Sequence, residues 1–76
     1  MSFSIEFINR GETVVYRDGL REIHAEVNYF NGFILFRDSI YFWKNGQKLS
    51  KEELELVQNR ILDFLRQKGN GNVEIQ

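Results

Sequence analysis

The sequence predicts one small α+β domain, an antiparallel β-meander of about five strands covered on one face by one amphipathic helix, with a short C-terminal strand. Three observations lead there. Turn-forming residues recur at close spacing, at Arg10-Gly11, Asp18-Gly19, Asn31-Gly32, Asn45-Gly46 and Gly69-Asn70-Gly71, with alternating apolar residues between them. One stretch, Lys51 to Lys68, has neither Gly nor Pro and carries Leu, Val and Ile at helical spacing. The whole chain, residues 1–76, is long enough for a single core. At that size a fold buries only roughly 60% of the surface its unfolded chain exposes.

The first strand is expected at Ser4 to Asn9, with Phe3, Ile5 and Phe7 sharing one face, and the second at Thr13 to Arg17. Asp18-Gly19 then suits a two-residue type I′ hairpin, which needs positive φ at both central residues. Strand three, Leu20 to Val27, alternates Ile23, Ala25 and Val27 with Glu22, His24 and Glu26, so one of its faces meets water. Strand four is expected at Phe33 to Arg37. A bend at Asp38-Ser39 leads to a fifth strand, Ile40-Tyr41-Phe42-Trp43, closed by the Asn45-Gly46 turn.

The helix carries the clearest local signals. Ser50 stands three residues before Glu53, the capping-box spacing in which each side chain satisfies a free backbone N–H. Leu54, Val57, Ile61, Leu62, Phe64 and Leu65 fall within an arc of about 160° at 100° per residue, a stripe that must lie on the sheet. Gly69 follows as a left-handed helix stop, and Val73 to Ile75 reads as the closing strand.

Seven Phe, three Tyr and one Trp supply the bulk for a core without cross-links; there is no Cys, consistent with a reducing compartment. Ten Lys/Arg against eleven Asp/Glu leave a net charge of -1, which argues against nucleic acid as a partner. The longest uncharged apolar run, Tyr29 to Phe36, is far short of the ~20 residues of a membrane span. The opening Met1 to Glu6 has no signal-peptide pattern, and a cytoplasmic location is expected.

Chemistry is sparse. His24 is the single histidine and has no nucleophile in a recognisable context. No Cys/His cluster suits zinc and no Asp/Asn string suits calcium. The glycines sit in turns, so no phosphate loop is formed. The expectation is a non-enzyme with no catalytic residue, metal or cofactor.

Binding is the remaining role. Between Tyr29 and Trp43 the aromatic residues outnumber what one face can bury. With Ile40 and Phe42 toward the helix, Tyr41 and Trp43 would share the open face, near the carboxylates of Glu22 and Glu26. Leu56 lies roughly 160° from Leu54, on the polar side of the helix. These five residues, Tyr41, Trp43, Glu22, Glu26 and Leu56, are the candidate partner-binding set.

The order of motifs resembles the immunity protein 74 family of bacterial polymorphic toxin systems. The matching residues are Val14-Val15-Tyr16, Glu26, Gly32-Phe33-Ile34-Leu35-Phe36, Asp38-Ser39-Ile40 with Trp43, Ser50-Lys51-Glu52-Glu53 opening the helix, and Val73-Glu74-Ile75. The likeness runs from about Gly11 to Ile75 and departs at Lys44 to Gln47, where the family often has proline. It implies a small stand-alone α+β protein that binds a cognate toxin protein and blocks its activity. A second reading, from another class, is a homo-oligomeric structural module, with a homodimer formed through the aromatic face and no toxin partner.

Overall fold

The computed structural model describes residues 2–69 and 71–76; Met1 and Asn70, the latter inside the expected Gly69–Gly71 turn, lie outside them. Strands β1 (Phe3–Ile8), β2 (Thr13–Asp18), β3 (Arg21–Tyr29) and β4 (Phe33–Leu35) run as successive antiparallel neighbours. Helix α1 (Lys51–Lys68) follows, and β5 (Val73–Ile75) returns beside β4 in parallel. The result is the expected α+β architecture, a five-stranded, mostly antiparallel sheet with one helix and a short last strand.

Alternation in the sequence decides which way each strand faces. Val14 and Tyr16 of β2, Ile23, Ala25 and Val27 of β3, and Leu35 of β4 enter one buried cluster with Val57, Ile61, Leu62 and Leu65 of the helix. Leu54 and Phe64 pack against its edge. Each large side chain removed from water contributes about 1.5–3 kcal/mol, and this cluster is the main source of stability. The helix starts as its sequence requires. The Ser50 hydroxyl accepts from the Glu53 backbone N–H at 3.1 Å, and the Glu53 carboxylate accepts from the Ser50 N–H at 2.9 Å. Glu53 also pairs with Arg21 of β3, pinning the helix start to the sheet.

Two turn assignments change. The two-residue connection between β2 and β3 is Gly19-Leu20, since Asp18 already pairs with Arg21. Only Gly19 has positive φ, +65°, so the sign pattern is that of a Gly-first type II′ turn, not type I′. Gly69 is not a left-handed stop either: it is extended, with φ -110° and ψ -153°. Its need for glycine is spatial, because a Cβ there would lie 3.0 Å from the Phe33 ring.

The larger correction concerns Ile40 to Trp43, which is not a strand. Strand β4 pairs with β3 only at Val27 to Tyr29. The rest of that β3 edge is taken by a 3-10 turn, Arg37–Ile40, and the loop after it. Phe36 N–H donates to Glu26 O at 3.1 Å, and Lys44 N–H to Glu22 O at 2.7 Å. Between them Ser39 stands in for a ladder partner. Its Oγ accepts from the Glu26 N–H at 2.9 Å and donates to Phe36 O at 2.6 Å. Ser39→Ala should therefore cost about 0.5–1.5 kcal/mol, the net worth of an ordinary hydrogen bond, because water can reach that N–H. A chemical-denaturation midpoint equal to that of the parent would remove Ser39 from this role.

The 3-10 turn also resets which residues face inward. Ile40 is fully buried and Trp43, three residues on, is 2% exposed, whereas Phe42 between them is 55% exposed. Trp43 lies against Tyr16, ring centroids 6.3 Å apart, with the Arg21 guanidinium 4.2 Å above its indole. The expected Asn45-Gly46 turn is present, with Gly46 N–H donating to Trp43 O at 2.8 Å.

The sheet is strongly curled. Phe7 on β1 and Phe33 on β4, three strands apart in the sheet order, stack at 5.6 Å, and Phe64 of the helix meets Phe7 at 5.1 Å. Among the described residues no helix is long and apolar enough to cross a membrane.

Candidate binding surface

The face of the sheet turned away from α1 is charged. Its centre is Arg17 on β2, which donates to Glu6 of β1 at 2.7 Å and to Glu22 of β3 at 2.9 Å, so one guanidinium ties three strands together. Glu22 also accepts from His24 and, at 3.4 Å, from Lys44. Beneath these groups lies Val15. It points away from the helix between Glu6 and His24, yet is only 1% exposed. Exposed ion pairs contribute little stability each; here they roof an apolar residue and fix cross-strand register.

The hydrogen bond from His24, then that from Arg17, hold the Glu22 carboxyl down at about 2, against an ordinary 4.5. A depressed carboxyl stabilises the fold above the unfolded value and loses that contribution as pH falls toward the folded one. Glu22→Gln is expected to lower the melting temperature at neutral pH. It should also flatten the stability loss between pH 4.5 and about 2. Melts at stepped pH check this, and parallel acid limbs for the two proteins would contradict it.

The five residues singled out in the sequence do not form one patch. Trp43 is core, and its expected place on the open face is wrong because the 3-10 turn rotates it inward. Tyr41 is half-buried, and its backbone O accepts from Leu49 N–H at 3.0 Å. Leu56 is on the outer side of the helix, 45% exposed. Glu22 and Glu26 do share the open face, but the Glu22 carboxylate is engaged by Arg17, His24 and Lys44.

Glu26 differs. It is exposed and in no ion pair among the described residues, and the same holds for Glu12. Val27 N–H donates to Glu12 O at 3.1 Å, which brings the two acidic residues to neighbouring strand ends. They flank a hollow of about 330 Å³, completed by Thr13, Val27, Asn28 and Phe36. Immediately along β3 come Tyr29, 54% exposed, and Phe30, 77% exposed. Tyr29 is held edge-on against Phe33 at 5.0 Å. Leu20, wholly exposed at the hairpin tip, stands at the other end of β3. Glu12 gave no sequence signal of its own, and Phe30 belonged to the aromatic excess between Tyr29 and Trp43 without being singled out. The clue was positional, since Phe30 directly precedes a turn and so has no strand partner to cover it.

Among the described residues no group of three or more His, Cys, Asp or Glu side chains is placed to hold a metal ion. A second polar cluster lies against the helix. Tyr16 OH accepts from Arg60 at 2.7 Å and donates to Asp18 at 3.1 Å. Burial, the largest influence, raises the phenol pKa above 10.0.

Comparison with known proteins finds no family model, no curated protein and no solved structure that matches this chain.

Proposed function

We propose that the chain is a toxin-neutralising immunity protein, a protein-binding domain that acts by occupying a toxin surface and not by turnover. The observation that carries this reading is the junction of unpaired charge and exposed aromatic area at the end of β3. The Glu12 and Glu26 carboxylates flank one hollow, with Tyr29 and Phe30 beside it. Exposed aromatic side chains are the usual anchors of protein interfaces, and unpaired charge of one sign steers a partner of the other. The surface therefore suits a basic toxin domain with an apolar centre. The resemblance in motif order from Val14-Val15-Tyr16 to Val73-Glu74-Ile75 supports the same role. The proposal includes a cytoplasmic placement, where such a partner would be met.

The test is co-expression with the C-terminal domain of the protein encoded immediately upstream. Growth should be restored, and calorimetry with the purified domain should saturate at one molecule per molecule. Phe30→Ala is expected to weaken that binding by at least ~2 kcal/mol, the size of an interface anchor. The double change Glu12→Lys, Glu26→Lys should slow association most at low salt. Unrestored growth, or protection at far below stoichiometric amounts, defeats the proposal.

A further inference from the structure

Strand β1 is the outer strand of the sheet and, among the described residues, pairs only with β2, in unbroken register from Phe3 to Ile8. Exposed edges of this kind are usually blunted by Lys, Pro, a bulge or extreme shortness. The opposite edge is blunted in that last way, since β5 has three residues. Strand β1 has six, Phe-Ser-Ile-Glu-Phe-Ile, and carries none of these devices. Beside it an open groove of about 330 Å³ runs between β1 and α1, lined by Phe3, Ile5, Arg60, Asp63, Phe64 and Gln67. Phe3 is 44% exposed there, with the Arg60 guanidinium 4.0 Å over its ring.

We propose that this edge binds a second copy of the chain, β1 pairing antiparallel with β1 about a two-fold axis at Ile5. Register selects that arrangement. Directly opposed residues in an antiparallel pair point to the same face. Centring on Ile5 sets Phe3 against Phe7 and Ile5 against Ile5 on the helix side, and Ser4 against Glu6 on the charged side. Centring on Glu6 would oppose two carboxylates. A centre midway between Ser4 and Ile5, or between Ile5 and Glu6, would place Ile5 against Ser4 or Glu6 and turn the apolar set to the wrong face. The groove's two charged groups are paired within the chain, Arg60 with Asp18 at 3.5 Å and Asp63 with Arg66 at 3.2 Å, so covering it with a second copy leaves neither charge unmatched. This inference does not rest on the toxin-binding role, whose surface lies on other residues.

The chain has no cysteine, which makes a single introduced thiol a clean reporter. Light scattering of the full chain, from micromolar to millimolar concentration, is expected to show the mass rising to twice 9.1 kDa. Ile5→Cys should oxidise to a linked dimer much faster than Ser4→Cys, because only residue 5 faces itself across the axis. Mass staying at 9.1 kDa throughout overturns the proposal. So does a dimer in which Ile5→Cys and Ser4→Cys oxidise alike.

Discussion

Trp43→Ala is expected to cost about 3–5 kcal/mol, the range for a buried large aromatic. A domain this small has about 5 kcal/mol in all, so much of the variant should be unfolded at room temperature. The indole is 2% exposed, packs against Tyr16 and lies beneath Arg21. Its loss opens a void where the Arg37–Ile40 turn, β2 and β3 meet. Truncation also strips Arg21 of its aromatic partner, an interaction of about 0.5–1 kcal/mol or more. Urea denaturation followed by far-UV circular dichroism measures the effect. A change below about 1 kcal/mol would mean that the loop, indole included, packs only loosely on the sheet.

Ile61→Ala is the second large effect, at about 2–5 kcal/mol. Ile61 is wholly buried near the middle of the helix stripe, within the same cluster as Ile23, Leu35 and Leu65. Its neighbours belong to different strands and cannot all collapse onto the gap, which places the cost in the upper part of the range. An unchanged thermal midpoint would contradict the packing of α1 on the sheet. The exposed Leu56 on the same helix is the natural control, and Leu56→Ala should leave stability nearly unaltered.

The helix was fully legible because its signals are local. Ser50 and Glu53 are three residues apart, and the apolar stripe repeats within a turn or two. The first three strands were legible for the same reason, since β-alternation needs only neighbouring residues. Ile40-Tyr41-Phe42-Trp43 misled because four apolar residues carry no period of their own. Whether they alternate or wind depends on what pairs with the edge of β3, and that edge is occupied by the Ser39 hydroxyl and the backbone of Phe36 and Lys44. Gly69 misled for a related reason. Its glycine requirement comes from Phe33, distant in sequence, and not from its own dihedral angles. The candidate site failed at the same point. Trp43 moved to the core, and the exposed aromatic role passed to Tyr29, on the last rung of the β3–β4 ladder, and to Phe30 in the turn beyond it. Glu22 looked equivalent to Glu26 along the strand. Only the cross-strand positions of Arg17 and Lys44 distinguish them.

The parallel return of β5 has a kinetic consequence. Strands β1 to β4 pair with sequence neighbours, so the meander can assemble by closing short loops, a fast and local process. The β4–β5 ladder joins Phe33 to Val73 and Leu35 to Ile75, and therefore waits until the whole helix has docked. Loop-closure entropy is paid there last and is recovered by very few hydrogen bonds. Amide exchange should accordingly divide the sheet. Protons of β2 and β3 are expected to exchange only with global unfolding, while those of β5 exchange through an opening that detaches the last strand alone. The domain would then behave as a slow latch on a fast-forming body, with the latch the first part to yield under mild denaturant.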